Sequence, residues 1–578
     1  MFPRKPSDER LLYALAILVA FLLRFVNLGS LPLSDYEANW SLQSLHIVQG
    51  LKPAVGANPA YVHLTAALFF VFGTTNFLAR FISALAGTIL VIAPIFFRER
   101  IGRLASLLLA FFLACDPGLL SLSRLAGSSI LAITMVMFTA AFWLTGRRSA
   151  AAVCAALALL SGTGTWFGLV GLLLAWAVGL GFKPKAASKD DEAEIPSEPE
   201  HKTTIPDRWI TLRGPIGWGA GVLLFVGTLF LLSPKGLGGM FSAFTGFIAG
   251  WWSPSGVPVT RLLTALVVYE IMPLAFGLAG VVRGAVKKEM LPLRLGIWAL
   301  AALLLALACP ARQVGDLAWV LLPLWTLAGL ELARYFDFED VGRWEFAGVT
   351  VLLVAILTFA WFDFAGVAGS SMMDESGRLR LLILFGVLLL LALILVLIST
   401  GWSVNLARLG GVWAAGIVLF VFTLGAATGS GGLRLPRSEE LWPPAPQIAD
   451  ADLLLKSAEE ISDWNKGAVE SLPVAISGID SPALFWLFRN WDISVDASAS
   501  LDQPPAMIIT PAGSEPSLSQ SYRGEAFRWR QTPDWNNAGI AGWTRWLVTR
   551  ELVTQDETIV LWARTDVLID SQDQKPTP

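Results

Sequence analysis

The sequence predicts a mainly α-helical protein that crosses a membrane many times and carries a small α/β domain at its C-terminal end. Hydrophobic residues make up 55% of the 578 residues, charged residues make up only 15%, and the mean hydropathy is +0.61. Soluble domains carry roughly one charged residue in four. Long apolar stretches recur until residue 427, and the pattern then stops. Most of the chain is therefore expected to lie in a lipid bilayer.

A helix must be about 20 residues long to cross ~30 Å of hydrocarbon. Thirteen apolar segments meet or approach this length: 11–27, 77–97, 104–120, 128–145, 149–161, 165–182, 213–232, 261–283, 295–309, 316–334, 346–362, 379–399 and 407–427. The first has no small-residue cleavage site after it, so we expect an uncleaved helix rather than a signal peptide. The apolar segment 61–73 reaches only about 20 Å as a helix, and we expect it to lie on or dip into the outer surface.

The basic residues between these spans predict the orientation of the chain. Loops on one side of the predicted membrane hold 21 Lys and Arg residues, and loops on the other side hold 5. Positively charged loops stay in the cytoplasm. We therefore expect a multi-pass protein of the cell membrane whose N-terminus is cytoplasmic and whose chain after residue 427 is extracytoplasmic.

The same pattern divides the chain into parts. We expect an N-terminal membrane module over 1–182, with a first external loop at 28–76, and a second set of membrane helices over 213–427. The stretch 183–212 between them is charged and Pro-bearing, which is typical of a disordered linker. Residues 433–578 show helical periodicity at 449–464 and 481–490, and strand patterns at 473–477, 492–495, 506–510 and 558–563. Alternating helices and strands predict an extracytoplasmic α/β domain.

Several classes of site are not indicated. The three Cys residues lie in apolar runs, so they suggest neither a disulfide framework nor a thiolate metal site. The three His residues are scattered, and no basic cluster suggests nucleic acid as a partner. We expect no cofactor and no metal centre. A divalent cation held by Asp35 and Glu37 is an alternative that the sequence does not favour.

The most informative polar pair follows the first predicted span. Asp35 and Glu37 stand two residues apart where the chain leaves the bilayer, and the stretch 37–50 has the spacing of a short helix lying on the membrane surface. A carboxylate at a membrane surface can take a proton from a hydroxyl or hold a cation beside a lipid headgroup. The alternative is a pair of solvated loop residues.

Four motifs around this pair resemble the GT-C glycosyltransferases, in particular the protein O-mannosyltransferase and lipid A aminoarabinose transferase types. The motifs are Leu23-Arg24-Phe25-x-Asn27-Leu28, Pro59-Ala60-Tyr61, Phe77-Leu78-Ala79-Arg80, and Asp116-Pro117 with Ser123-Arg124. Two further motifs resemble the flippase activity-associated family of archaea and Chloroflexus-like bacteria. They are Asp480-Ser481-Pro482 with Arg489-Asn490-Trp491, and Tyr522-Arg523-Gly524 with Trp529-Arg530.

The resemblance implies an enzyme that moves a sugar from a polyprenyl-phosphate carrier to a glycan, lipid or protein acceptor outside the membrane, with inversion at the sugar. Asp35 would be the general base, with Glu37 beside it as the second catalytic carboxylate. Membrane lipids are expected partners. The expected substrate-binding residues are Lys52, Tyr61, Asp116, Arg124, Trp252 and Arg312. For Arg312 and Lys52 the expected ligand is the donor phosphate, because a cation is needed where phosphate leaves.

Alternatives stay open for some of these residues. Asp116 could simply end a helix, Arg124 could snorkel to the interface, and Trp252 could belong to an interfacial aromatic belt. The family's adjacent acid pair is interrupted here by Tyr36. This interruption favours a second hypothesis, in which the chain is a degenerate relative acting as a scaffold or as a partner of a flippase or transporter.

Overall fold

A computed structural model of the chain describes residues 6–51, 53–181, 205–337, 341–369, 375–434, 439–495, 504–514, 520–535 and 537–568. Lys52, residue 182 and residues 183–204 of the predicted linker lie outside the described residues. A helix begins at Ile205, within the stretch 183–212 that the sequence assigned to the linker.

Nineteen helices build the described part of the chain before residue 431. They are α1 (Pro6–Phe25), α2 (Asp35–Val48), α3 (Pro59–Phe72), α4 (Asn76–Leu90), α5 (Pro94–Ile101), α6 (Arg103–Cys115), α7 (Pro117–Ser123), α8 (Ile130–Leu144), α9 (Arg148–Leu159), α10 (Thr163–Leu180), α11 (Ile205–Gly227), α12 (Lys235–Ala249), α13 (Val259–Tyr269), α14 (Ile271–Lys287), α15 (Met290–Ala308), α16 (Ala318–Ala333), α17 (Arg343–Gly369), α18 (Glu375–Gly401) and α19 (Val404–Ser430). Short 3₁₀ turns at Val314–Leu317 and Arg334–Phe336 flank α16.

The chain is a polytopic helical membrane protein, as the sequence predicted. Among the described residues, seven helical segments are long and apolar enough to cross a membrane, and two bent pairs raise the number to nine. The helices α3, α8 and α9 are apolar but shorter. The thirteen spans expected from the sequence remain a prediction.

Two spans are broken at a buried carboxylate. The helices α6 and α7 meet at an angle of 56°, and α13 and α14 meet at 87°. The first break is explained by Pro117, which pushes the preceding Asp116 into an extended conformation (φ −64°, ψ 126°) and occupies the first turn of α7. Glu270 lies at the second break and is fully buried. The sequence placed both carboxylates inside or at the edge of uninterrupted spans.

The C-terminal part is an α/β domain built on one mixed sheet, as expected. Its strands are β1 (Gln447–Ile448), β2 (Val474–Ile476), β3 (Ile493–Val495), β4 (Met507–Pro511), β5 (Tyr522–Pro533) and β6 (Thr554–Arg564), and its helices are α20 (Ala451–Lys466), α21 (Pro482–Leu487), α22 (Gly539–Thr549) and α23 (Thr565–Leu568). The strand order is β1-β5-β6-β4-β2-β3. Strands β2, β3 and β4 pair in parallel, and the other pairs are antiparallel. The sequence did not predict β1, β5, α22 or α23.

The domain packs directly on the membrane helices. Trp486 of α21 donates to the Asn76 side chain at the start of α4 (2.8 Å), and Arg489 donates to the Thr74 carbonyl (3.2 Å). On another side, Trp546 of α22 donates to the carbonyl of Glu439 (2.7 Å), while the Arg550 guanidinium lies 4.7 Å from the ring centre of Tyr269 on α13. These contacts hold the sheet domain against the end of the helical bundle where α2 lies.

Candidate functional site

The predicted acid pair lies at the start of α2, where a capping box fixes the backbone. Ser34 is the N-cap. Its side chain accepts a hydrogen bond from the Glu37 N–H (3.5 Å), and the Glu37 carboxylate accepts one from the Ser34 N–H (3.1 Å). Such reciprocal bonds satisfy amide groups that a helix start leaves unpaired. Because residues two apart on a helix point about 200° away from each other, Asp35 and Glu37 face different surroundings.

Glu37 points inward and is buried, with 3% of its surface exposed. Arg80 of α4 donates to both of its oxygens, over 2.7 and 2.8 Å, and the Ala126 N–H donates over 3.1 Å. Burial alone would raise the pKa of the Glu37 carboxyl, but Arg80 and the N–H groups of Ala126 and Ser34 outweigh it and hold the pKa below its ordinary value. Glu37 is therefore an ionised carboxylate whose hydrogen bonds are all made within the protein.

Arg80 also fastens the loop ahead of α2. Its remaining N–H groups donate to the carbonyls of Leu28 (3.1 Å), Leu31 (2.8 Å) and Pro32 (3.0 Å). Arg80 belongs to one of the motifs that carry the family resemblance, but the sequence alone did not indicate its role. The ion pair fixes α2 against α4 and sets the direction in which Asp35 points.

Asp35 points away from the bundle and into the C-terminal domain. Its Oδ1 accepts hydrogen bonds from the Ser481 hydroxyl (2.5 Å) and the Ala483 N–H (3.0 Å), and its Oδ2 accepts one from Arg530 Nε (2.6 Å). Arg530 is held by further bonds to the Asp480 carbonyl (2.6 Å) and Glu557 (3.1 Å). The proposed base thus has both oxygens engaged by α21 and β5.

Tyr36, which interrupts the pair, takes a third direction. Its hydroxyl donates to the Gly127 carbonyl (3.1 Å), which also accepts from the Asn58 side chain (3.1 Å). Burial raises the pKa of Tyr36 to about 12, and Asp316, on the loop that also carries Arg312, adds to the rise. A divalent cation bridging Asp35 and Glu37 would have to displace both Arg80 and Arg530.

Arg124, predicted to bind substrate, caps the C-terminal end of α1 with hydrogen bonds. It donates to the carbonyls of Leu23 (3.1 Å), Arg24 (3.0 Å), Val26 (2.8 Å) and Asn27 (3.2 Å). The last carbonyls of a helix have no partner within it, so a guanidinium there is stabilising. Arg24 does the same for α6, with bonds of 3.0 Å to the carbonyls of residues 113 and 114. A structural role accounts for the contacts of both side chains.

The space beside these arginines is small. A cavity of about 120 Å³ lies between the α1–α2 loop, α4, α7 and residues 429–432 and 440–448, and Glu37, Arg80 and Arg124 face it. A water molecule occupies about 30 Å³ of liquid. The volume corresponds to a few water molecules.

Asp116 lies at the break between α6 and α7. Its Oδ1 accepts from the Leu119 N–H (2.5 Å), which caps α7, and its Oδ2 accepts from Trp325 Nε1 (2.5 Å). The buried Glu270, at the break between α13 and α14, faces it. The sequence missed Glu270 because one carboxylate within an apolar run does not reveal that the helix breaks there.

Tyr61, Arg312 and Trp252 complete the predicted residues. Tyr61 is buried and donates to the Ala79 carbonyl (2.6 Å). Arg312 donates to the Val257 carbonyl (3.2 Å) through one terminal nitrogen, while its Nε is buried without a hydrogen-bond partner. Trp252 is 77% exposed, on a loop that pairs with the loop of Arg312 through a bond from the Ala311 N–H to the Gly250 carbonyl (3.0 Å). The structure brings Arg312 and Trp252 onto neighbouring loops, apart from the Asp35 contacts.

Comparison with known proteins gives a likeness in structure alone. No family model and no curated protein matches the sequence. Among solved structures, the chain resembles ArnT of Cupriavidus metallidurans bound to undecaprenyl phosphate, with a TM-score of 0.55 and 14% identity over 95% of this chain and 97% of that one. The same protein without ligand gives a TM-score of 0.53 and 14% identity over 96% and 98%. The chain therefore shares the overall fold of this protein over nearly its whole length.

Proposed function

We propose that the chain is a membrane glycosyltransferase that takes a sugar from a polyprenyl-phosphate carrier and passes it to an acceptor outside the membrane. The observation that carries this proposal is the likeness, over 95% of the chain, to a protein crystallised with undecaprenyl phosphate. The four sequence motifs over residues 23–124 also support it, because they resemble those of transferases that use polyprenyl-phosphate sugars.

In this proposal Asp35 is the general base. Its Oδ1 accepts a hydrogen bond from the Ser481 hydroxyl at 2.5 Å, which is close to the distance at which a base takes a proton from an alcohol. The acceptor hydroxyl replaces Ser481, transfers its proton to Asp35 and attacks the anomeric carbon. The bond from that carbon to the phosphate oxygen breaks as the new glycosidic bond forms on the opposite face. This displacement inverts the configuration of the sugar.

The leaving phosphate needs a cation, and Arg312 is the first candidate. Its Nε has no hydrogen-bond partner and can donate to an anionic ligand. Its loop also carries Asp316, which lies close enough to Tyr36 to affect the pKa of that side chain. A guanidinium binds phosphate through two oriented N–H groups, and this contact is stronger in a partly dehydrated site than in water. Lys52 is the second candidate, and Trp252 could pack against the lipid or the sugar.

The test is transfer of labelled sugars from polyprenyl-phosphate carriers by the full chain in nanodiscs. Asp35→Asn keeps the side-chain size and removes the base, so we expect transfer to fall by two or more orders of magnitude. Because Asp35 also docks the C-terminal domain, Arg530→Ala is the matched control, since it removes the ion pair to Asp35 without touching the carboxylate. Equal losses in both variants would reduce Asp35 to a docking residue.

The second candidate function is that of a catalytically degenerate scaffold in glycan assembly. The specific observation in its favour is that Asp35 and Glu37 both have all their oxygens engaged by protein groups. On this hypothesis an Asp35→Asn chain should restore a deletion strain as well as the unchanged chain does. Loss of that rescue, with the protein still folded, would favour the enzyme.

A further inference from the structure

The C-terminal domain carries an open groove on the side of its sheet where α20 leaves β5 and β6 uncovered. The groove has a volume of about 420 Å³ and runs between Trp464 of α20, Arg523 and Glu525 of β5, and Leu561 of β6. We call this feature the outer groove. Its volume falls within the roughly 300–1,000 Å³ of pockets that bind small organic ligands.

The α20 wall of the outer groove carries an aromatic side chain, and the floor of the groove is apolar. The indole of Trp464 is 67% exposed, whereas Leu561, beneath it on the sheet, is only 2% exposed. An exposed aromatic ring beside an apolar surface offers a face on which a ligand can pack. Trp464 therefore presents an exposed indole ring beside the buried side chain of Leu561.

The other wall carries charged groups that have no partner. Arg523 and Glu525 stand two residues apart on β5 and so project from the same face of the sheet. In the described part of the chain neither side chain makes a hydrogen bond or an ion pair. Three other arginines of the same sheet are all paired, with Asp450, Asp35 and Asp566. The unpaired donor and acceptor beside the indole are thus a local feature of the outer groove.

We propose that the outer groove binds a neutral oligosaccharide, and that this oligosaccharide is the acceptor of the transfer proposed above. A pyranose ring has a face of C–H groups that packs on an indole, and hydroxyls that both donate and accept hydrogen bonds. Glu525 and Glu460 accept such bonds, and Arg523 donates them. Two carboxylates and one guanidinium line the groove, and Lys456, which pairs with Glu460 at 3.8 Å, is not part of the lining. An acidic glycan is therefore disfavoured.

The position of the groove fits an acceptor that extends towards Asp35. Strand β5 contains both Arg523, in the groove, and Arg530, on Asp35. Seven residues of strand separate them, which corresponds to about 23 Å at ~3.3 Å per residue. A chain of several sugars held in the outer groove could therefore reach α2 along one strand. Identifying the oligosaccharide as the acceptor rests on the proposed function, whereas its binding to the groove does not.

The test measures binding to the full chain in nanodiscs, without any transfer reaction. The probes are the neutral hexamers chitohexaose and maltohexaose, and hexagalacturonate as an acidic hexamer, followed by ligand-observed NMR and calorimetry. We expect at least one neutral probe to bind, and the acidic probe to bind more weakly. Trp464→Ala should weaken binding about tenfold, while Trp464→Phe keeps most of it. Leu453→Ala, an exposed change on the same helix outside the groove, should have no effect.

Three results would overturn the proposal. One is the absence of binding by either neutral hexamer up to concentrations on the order of 10 mM. Another is binding that Trp464→Ala leaves unchanged, and the third is binding that appears only after residues 569–578 are removed, since the groove would then hold the chain's own tail. Asp35→Asn separates this proposal from the proposed function, because it should abolish transfer and leave oligosaccharide binding intact.

Discussion

Replacing Glu37 by Gln should destabilise the protein, because the carboxylate has a structural role in the buried contact with Arg80. The two side chains are only 4% and 8% exposed, and the carboxylate accepts two bonds from the guanidinium. Removing one partner of a buried ion pair costs about 3–5 kcal/mol. Arg80 keeps three carbonyl partners in the variant, so we expect a loss near the lower end, about 3 kcal/mol.

The assay is denaturant-induced unfolding of the full chain in mixed micelles, followed by tryptophan fluorescence. Glu460→Gln is the matched control, since that carboxylate forms an exposed pair with Lys456 at 3.8 Å and should change stability by less than about 0.5 kcal/mol. Changing Glu37 and Arg80 together to Met should cost less than the sum of the single changes, because no unpaired charge stays buried. A Glu37→Gln chain as stable as the unchanged one would refute the reasoning.

Three further outcomes are expected. Since the pKa of Glu37 is held low, the stability that its ionised form contributes is complete above the ordinary carboxyl pKa and is lost as pH falls through the lowered value. Acid unfolding of Glu37→Gln should therefore depend less on pH in that range than unfolding of the unchanged chain. An equal pH dependence would contradict this. Arg312→Ala should weaken binding of the sugar donor by roughly 2–4 kcal/mol, and Arg312→Lys should recover part of this loss, as measured by donor titration. Unchanged donor affinity in both variants would mean that Arg312 only anchors the membrane interface. Arg530→Ala should speed hydrogen exchange in α21, because the bond to Asp35 (2.6 Å) is lost, and unaltered exchange would show that this bond does not hold the domain.

The membrane helices could be predicted because bilayer thickness imposes length and apolarity on each segment. The segment predicted at 165–182 is α10 (Thr163–Leu180), and that at 407–427 lies within α19 (Val404–Ser430). Where the helices break could not be predicted in the same way. Hydropathy averages over a window, so it does not respond to a single carboxylate such as Glu270.

The candidate site was predictable only in part. The capping pattern at Ser34 and Glu37 is local, and the structure has α2 at Asp35–Val48 where a short helix over 37–50 was expected. The partners of Asp35 are 446 and 495 residues away in the chain, and no local pattern specifies such contacts. The strand β5 was missed because alternation of apolar and polar residues holds only around Phe527 and Trp529, while charges and Gly524 fill its first half.

The contact between the Ser481 hydroxyl and Asp35 has a consequence for acceptor affinity in the proposed function. Ser481 is a hydroxyl competitor tethered to the enzyme, and a tethered group acts at an effective concentration on the order of millimolar. An acceptor hydroxyl must displace it, so the apparent affinity for acceptor equals the intrinsic affinity reduced by the fraction of molecules in which Asp35 is free. Acceptor specificity would then depend partly on how easily α21 withdraws from α2, and a good acceptor would be one whose binding also favours that withdrawal.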